Sequence, residues 1–99
     1  MDKIELMKKL GWKKTDTWNN RDIYSLWKFQ MLEHFDNIGI VIGDRFIYCD
    51  MNEDEIQKYT DIAKATRDMF NNPKKHMLYE YLTIEKELEE FVTKMKHKE

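Results

Sequence analysis

The most continuously apolar stretch of the chain runs from Asn37 to Asp50, NIGIVIGDRFIYCD, and a Gly-Asp pair divides it. Ile38, Ile40, Val41 and Ile42 are β-branched, and Phe46, Ile47 and Tyr48 resume the pattern beyond Gly43-Asp44. Branching at Cβ favours extended backbone over helix. Gly-Asp at a two-residue connection suits a type II′ turn, where the first central residue takes positive φ. The spacing therefore predicts a β-hairpin. Uncharged runs on both sides of the turn predict strands covered on both faces, in the middle of a sheet.

The flanking segments carry helical periods. Asp2 and Glu5 form a D-x-x-E start signal, Ile4, Met7 and Leu10 follow at helical spacing, and Gly11 is a natural stop, so a short helix of about two turns opens the chain. Glu53 to Phe70 reads as a second helix, with Ile56, Tyr59, Ala63, Thr66 and Phe70 in one stripe. Asn52 with Glu55, or Asp50 with Glu53, can cap it. Asn71-Asn72-Pro73 ends it, because proline cannot continue a helix. In the last segment Met77, Tyr81, Ile84, Leu88, Phe91 and Met95 alternate spacings of four and three, an a/d seam. The short connection predicts an antiparallel α-hairpin of these two helices.

Between the first helix and the hairpin the pattern is less decided. Thr15 and Thr17 favour strand between Trp12 and Trp18, and Asn19-Asn20-Arg21-Asp22 reads as a turn. Ile23 to Phe35 fits two periods. As a strand it lines up Ile23, Ser25, Trp27, Phe29 and Met31; as a helix capped by Asp22 it lines up Ile23, Leu26, Trp27, Gln30 and His34. The early aromatics favour a strand through about Gln30. The fold expected for residues 1–99 is thus a single α+β domain. It has a short N-terminal helix, an antiparallel meander of three or four strands, and a C-terminal α-hairpin packed on the sheet.

Composition narrows the function classes. With 41% hydrophobic residues the chain can build a core, and its net charge of −2 favours neither nucleic acid nor a polyanion mimic. A single cysteine, Cys49, fits a reducing, cytoplasmic setting, and no apolar leader or membrane-length run is present. Lysine far outnumbers arginine, and Ala, Gly and Pro are scarce. That usage suggests an AT-rich genome, such as a low-GC bacterium, its phage or a mobile element.

No constellation of catalytic type stands out. His34, His76 and His97 lack ligand spacing, so no metal is expected. Asp50, Asn52, Asp54 and Asp61 resemble a calcium loop, but Glu55 stands where the bend needs glycine and Asp61 where a bidentate Glu belongs. An acidic helix start explains them better. Cys49 reads as a core filler rather than a nucleophile, and Gly11, Gly39 and Gly43 are too scattered for a phosphate loop. No cofactor is expected.

What remains is binding. The leading expectation is a small non-enzymatic interaction protein that binds a protein partner. An inhibitor of a host nucleic-acid-binding protein is one form, anti-CRISPR-like by analogy alone. Its contacts would come from the acidic stretches Asp50, Glu53, Asp54, Glu55, Asp61, Glu85, Glu87, Glu89 and Glu90, which suit a basic groove. The distal seam, Phe91 and Met95, is the expected exposed part of the last helix and a route to a homodimer. The alternative is a nucleic-acid-binding accessory protein using Lys8, Lys9, Trp12, Lys13 and Lys14, basic groups around a stacking ring. A smaller basic cluster, Lys74, Lys75 and His76, precedes the last helix.

Overall fold

The computed structural model describes residues 2–99. Helix α1 (Lys3–Leu10) is followed by strands β1 (Lys13–Trp18), β2 (Arg21–Leu26), β3 (Phe29–His34), β4 (Asn37–Ile42) and β5 (Arg45–Ile47). Helices α2 (Glu53–Asn71) and α3 (Leu78–Lys98) complete the chain, joined by a single 3₁₀ turn at Pro73–Lys75. The strands form one antiparallel sheet in sequence order, and the helices pack on one of its faces. The α+β expectation holds, with five strands.

The helix ends follow their sequence signals. The Asp2 side chain accepts the Ile4 N–H at the start of α1. Gly11 takes a left-handed φ of 108°, and the N–H of Trp12 reaches back to the Met7 carbonyl at 2.9 Å, closing the last turn. At α2, Asn52 and Glu55 exchange side-chain to backbone hydrogen bonds in a full capping box. Asp50 is therefore not the cap, although it lies two residues before it.

The sheet is a chain of four two-residue turns: Asn19-Asn20, Trp27-Lys28, Phe35-Asp36 and Gly43-Asp44. The second of these corrects the reading of Ile23 to Phe35. That segment is neither one strand through Gln30 nor a helix but the end of β2, a turn and β3, with Leu26 opposite Phe29. Arg21 and Asp22 likewise belong to β2 and not to the preceding turn. The Asn37–Asp50 hairpin forms as expected, but β5 is an edge of the sheet rather than its middle. β4 is buried on both faces at Ile38, Gly39 and Ile40.

Alternation along the strands sorts the side chains between two faces. Tyr24, Leu26, Met31, Ile40 and Ile47 enter the core with Met7, Trp12, Ile56, Tyr59, Phe91 and Met95. Tyr59 is the aromatic centre. Its ring stacks on Trp12 at 5.9 Å and Phe91 at 5.4 Å and receives the edge of Phe29 at 5.5 Å. Trp12 also donates its indole N–H to the Thr60 hydroxyl at 2.9 Å, so its one polar atom is satisfied inside the core. Cys49 is buried in the same core, and burial pushes its thiol above the ordinary range.

Candidate interaction surfaces

Among the described residues no element covers the other face of the sheet. Ile23, Leu32, Gly39, Val41 and Phe46 lie there by strand alternation. Gly39 is what lets this face close on itself. A Cβ at Gly39 would lie 2.1 Å from the Phe46 ring and 2.4 Å from the Ile47 carbonyl oxygen, so only glycine lets Phe46 lie flat across β4. Leu32, directly opposite Gly39, is almost fully buried although it stands outside the main core.

Beyond this small apolar cap a row of aromatic and cationic side chains crosses the sheet. The Arg21 guanidinium sits 5.6 Å from the Trp18 ring centre, and its Nε donates to His34 Nδ1. His34 in turn meets Tyr48 at 5.7 Å and Phe35 at 4.6 Å, and Tyr48 packs on Phe46 at 4.0 Å. Trp18 and Tyr48 are about half exposed, while Phe35 is 84% exposed. Phe35 and Asp36 form a turn with both φ values positive, 48° and 61°. Asn-Gly suits that geometry; a phenylalanine there costs about 1–2 kcal/mol of backbone strain.

Carboxylates edge this end of the sheet. A recess of about 430 Å³ between the β1–β2 and β3–β4 turns is lined by Arg21, Asp22, Glu33, His34, Phe35 and Asp36, with Asn19 and Asn20. Partial burial, then the charges of Asp22 and Asp36, push the Glu33 carboxyl above its ordinary range. Lys14 pairs with Asp22 at 3.2 Å on the outer side.

A second exposed apolar surface lies at the tip of the helical hairpin, where Phe70, Met77, Leu78, Tyr79 and Leu82 are each more than half exposed. His76 ties the tip together. Its two ring nitrogens lie 2.8 Å from Glu80 on α3 and 2.8 Å from Asp68 on α2. The Glu80 hydrogen bond foremost, opposed by desolvation and reinforced by Asp68, holds the imidazole above its ordinary pKa.

The residues singled out from sequence fall into three groups. Asp54, Glu55, Glu87 and Glu90 converge on one groove of about 370 Å³ between α2 and α3, so the two acidic stretches do meet. The groove is not a uniform negative field, because Lys58 and Lys94 share it and Lys58 pairs with Glu87 at 3.6 Å. Asp50 pairs with Lys3 at 2.9 Å, Asp61 accepts from Gln57 at 3.0 Å, and Glu90 stands 4.0 Å from Lys86. Burial raises the Glu55 carboxyl, but the Lys98 ammonium bound to it and the Asn52 N–H outweigh that and hold it below the carboxylate range. Glu53, Glu85 and Glu89 lie on exposed helical positions.

The other two groups need correction. Phe91 and Met95 are core residues, 7% and 0% exposed, so the distal seam is closed within one chain. The open part of α3 is its beginning. In the basic cluster Trp12 is 1% exposed and stacked on Tyr59, so Lys8, Lys9, Lys13 and Lys14 surround no accessible ring. Trp18, Arg21, His34, Phe35 and Tyr48 were not foreseen as one surface. The signal that could have found them is Phe-Asp at a two-residue turn, visible only once Trp27-Lys28 is placed as the turn before it.

Among the described residues no helix is long and apolar enough to cross a membrane, and no His, Cys, Asp and Glu cluster is arranged to hold a metal ion. No protein-family model, curated protein or solved structure matches the chain.

Proposed function

We propose that this chain is a non-enzymatic interaction protein whose open sheet face binds a protein partner. The observation that carries the reading is Phe35, a large apolar side chain held in a strained turn and left in water. Folding gains little from it, whereas an interface would bury it fully. Trp18, Arg21 and Tyr48 beside it are the residue types that dominate interface energetics. Asp36 in the same turn, with Asp22 and Glu33 lining the recess from the helix-covered side of β2 and β3, gives this end of the sheet a carboxylate rim that favours a basic partner. An inhibitor of a basic, nucleic-acid-handling host protein fits this charge and the AT-rich coding bias.

The test is capture on immobilised chain from a nuclease-treated lysate of the source cell or its host. Wild type retains one protein in stoichiometric amount. Trp18→Ala/Phe35→Ala, with an unchanged circular dichroism spectrum, releases it. Equal retention by the variant, or no stoichiometric partner, would overturn the assignment. A partner present only without nuclease would move it to nucleic acid.

A further inference from the structure

The open face carries one contact whose chemistry the partner reading does not use. In the β2–β3 ladder Ile23 stands opposite Leu32, and the same register carried two residues further sets Arg21 beside His34. There Arg21 Nε donates to His34 Nδ1 at 2.5 Å. A guanidinium has only donors and keeps its charge at any ordinary pH. Nδ1 must therefore offer its lone pair, and the contact exists only while the ring is neutral, with its proton on Nε2. His76 is the opposite case: both its ring nitrogens lie 2.8 Å from carboxylate oxygens, and only an imidazolium can donate to both. We infer that His34 is a pH-sensitive gate on the open face, where a proton taken from solvent at Nδ1 breaks the Arg21 contact and weakens the hold on a basic partner. The inference rests on the partner reading above.

The groups around His34 divide by charge. From β2, the Arg21 cation opposes a second positive charge on the ring. In the recess at this end of the sheet, Asp36, Glu33 and Asp22 favour that charge. Glu33 and Asp22 alternate to the other side of their strands and act across the rim, and Lys14 already pairs with Asp22. The remaining neighbours are two rings and an amide: Phe35 at 4.6 Å, Tyr48 at 5.7 Å, and Asn37 opposite His34 on β4. A neutral ring is held by Arg21; an imidazolium is repelled by Arg21 and drawn to the carboxylate rim. One proton thus chooses between two arrangements.

Arg21 carries the change outward. Its guanidinium lies 5.6 Å from the Trp18 ring centre, so displacing it alters the Trp18 face that the partner covers. The protonated row also bears one more positive charge, which repels a basic partner. Both effects act in the same direction, weakening binding at mildly acid pH by about 10-fold. His34 is only half-buried, so solvent protons reach it.

Long-range proton–nitrogen NMR spectra of the free chain read the tautomer and charge of His34 directly. At mildly alkaline pH its proton stands on Nε2, and on acidification the Trp18 indole resonance moves together with the His34 ring. His34→Asn keeps an acceptor for Arg21 in its side-chain carbonyl but cannot titrate, so its Trp18 resonance stays still. The binding arm takes the immobilised chain, loads it with nuclease-treated lysate at mildly alkaline pH and steps it to mildly acid pH. Wild type releases the retained protein; His34→Asn, with an unchanged circular dichroism spectrum, holds it about 10-fold longer. A neutral ring protonated on Nδ1, or a Trp18 resonance that moves alike in both chains, would overturn the inference. Equal release from the two columns would do the same. A chain that captures nothing even at mildly alkaline pH overturns the partner reading instead, and the spectra still decide whether the Arg21–His34 contact exists.

Discussion

The two faces of the sheet use aromatic side chains in opposite ways. Under the helices, Trp12, Phe29, Tyr59 and Phe91 interlock around one ring, and the single polar atom of Trp12 has its partner in Thr60. On the open face, Trp18, Phe35 and Tyr48 rest against Arg21 and His34; Trp18 and Tyr48 stay about half exposed and Phe35 more so. The contrast is sharpest between two turns. Trp27 and Phe35 both stand at the first turn position with left-handed φ, 54° and 48°. Trp27 lies on Phe29 at 6.3 Å and Phe70 at 5.3 Å, so packing offsets its strain. Among the described residues Phe35 has a ring contact only with His34, and its strain is not offset within one chain. Similar backbone costs are thus offset by packing in one place and left without a compensating ring stack in the other.

The largest effect that could break this contrast is Trp12→Ala. Loss of the stack and the buried hydrogen bond lowers stability by about 3–5 kcal/mol in urea denaturation. Trp18→Ala costs under about 1 kcal/mol in the same assay. Equal losses would erase the distinction between the faces. Next is Gly39→Ala, whose Cβ would clash with the Ile47 carbonyl oxygen as well as the Phe46 ring, so the β4–β5 pairing must shift along with the ring; the expected cost is at least about 1–3 kcal/mol.

The turns give a smaller pair with opposite signs. Asparagine tolerates left-handed backbone, so Phe35→Asn raises stability by about 0.5 kcal/mol. Trp27→Asn gains the same relief but loses its packing, for a net loss of about 1 kcal/mol. A stability loss at Phe35 matching that at Trp27 would mean Phe35 is held by folding after all.

The smallest effect lies outside both faces, at the His76 clamp. Its imidazole pKa is raised in the folded chain, chiefly by the Glu80 hydrogen bond. The clamp therefore stabilises fully below the unfolded imidazole pKa, and that contribution is lost as pH rises through the folded value. The melting temperature of wild type, measured against His76→Gln, should fall between mildly acid and mildly alkaline pH. A difference independent of pH would show that the clamp carries no charge.

Local signals in the sequence were sufficient wherever a residue's conformation decides the structure. Asp2, Gly11, Asn52 with Glu55, and Gly43-Asp44 each do what their chemistry requires. Trp27-Lys28 escaped because nothing in it signals a turn; a tryptophan takes left-handed backbone there only because Phe29 and Phe70 receive its ring. The seam on α3 was legible as a stripe, but periodicity says nothing of how far the core extends beneath it. Twenty-one helical residues span about 31 Å. Phe91 and Met95 lie in the core with Tyr59, whereas Met77 at the start of the same seam is left 65% exposed at the hairpin tip. The open-face row was hidden for a related reason: Trp18 and Arg21 flank one turn, but His34 and Tyr48 come from separate stretches and meet them only through strand register.

The four successive two-residue turns also bear on how quickly the chain can find its shape. Each strand pairs with the strands next to it in sequence, so no long loop must close before a ladder can form. Hairpins of this kind close on the order of 1–10 μs, and each finished hairpin offers the edge on which the next one grows. An antiparallel sheet usually folds slowly because its partners are remote; here the partners are neighbours, and folding in the millisecond range or faster follows. The same locality lets the open face assemble strand by strand, with Phe46 settling into the space left by Gly39 once β4 and β5 have paired.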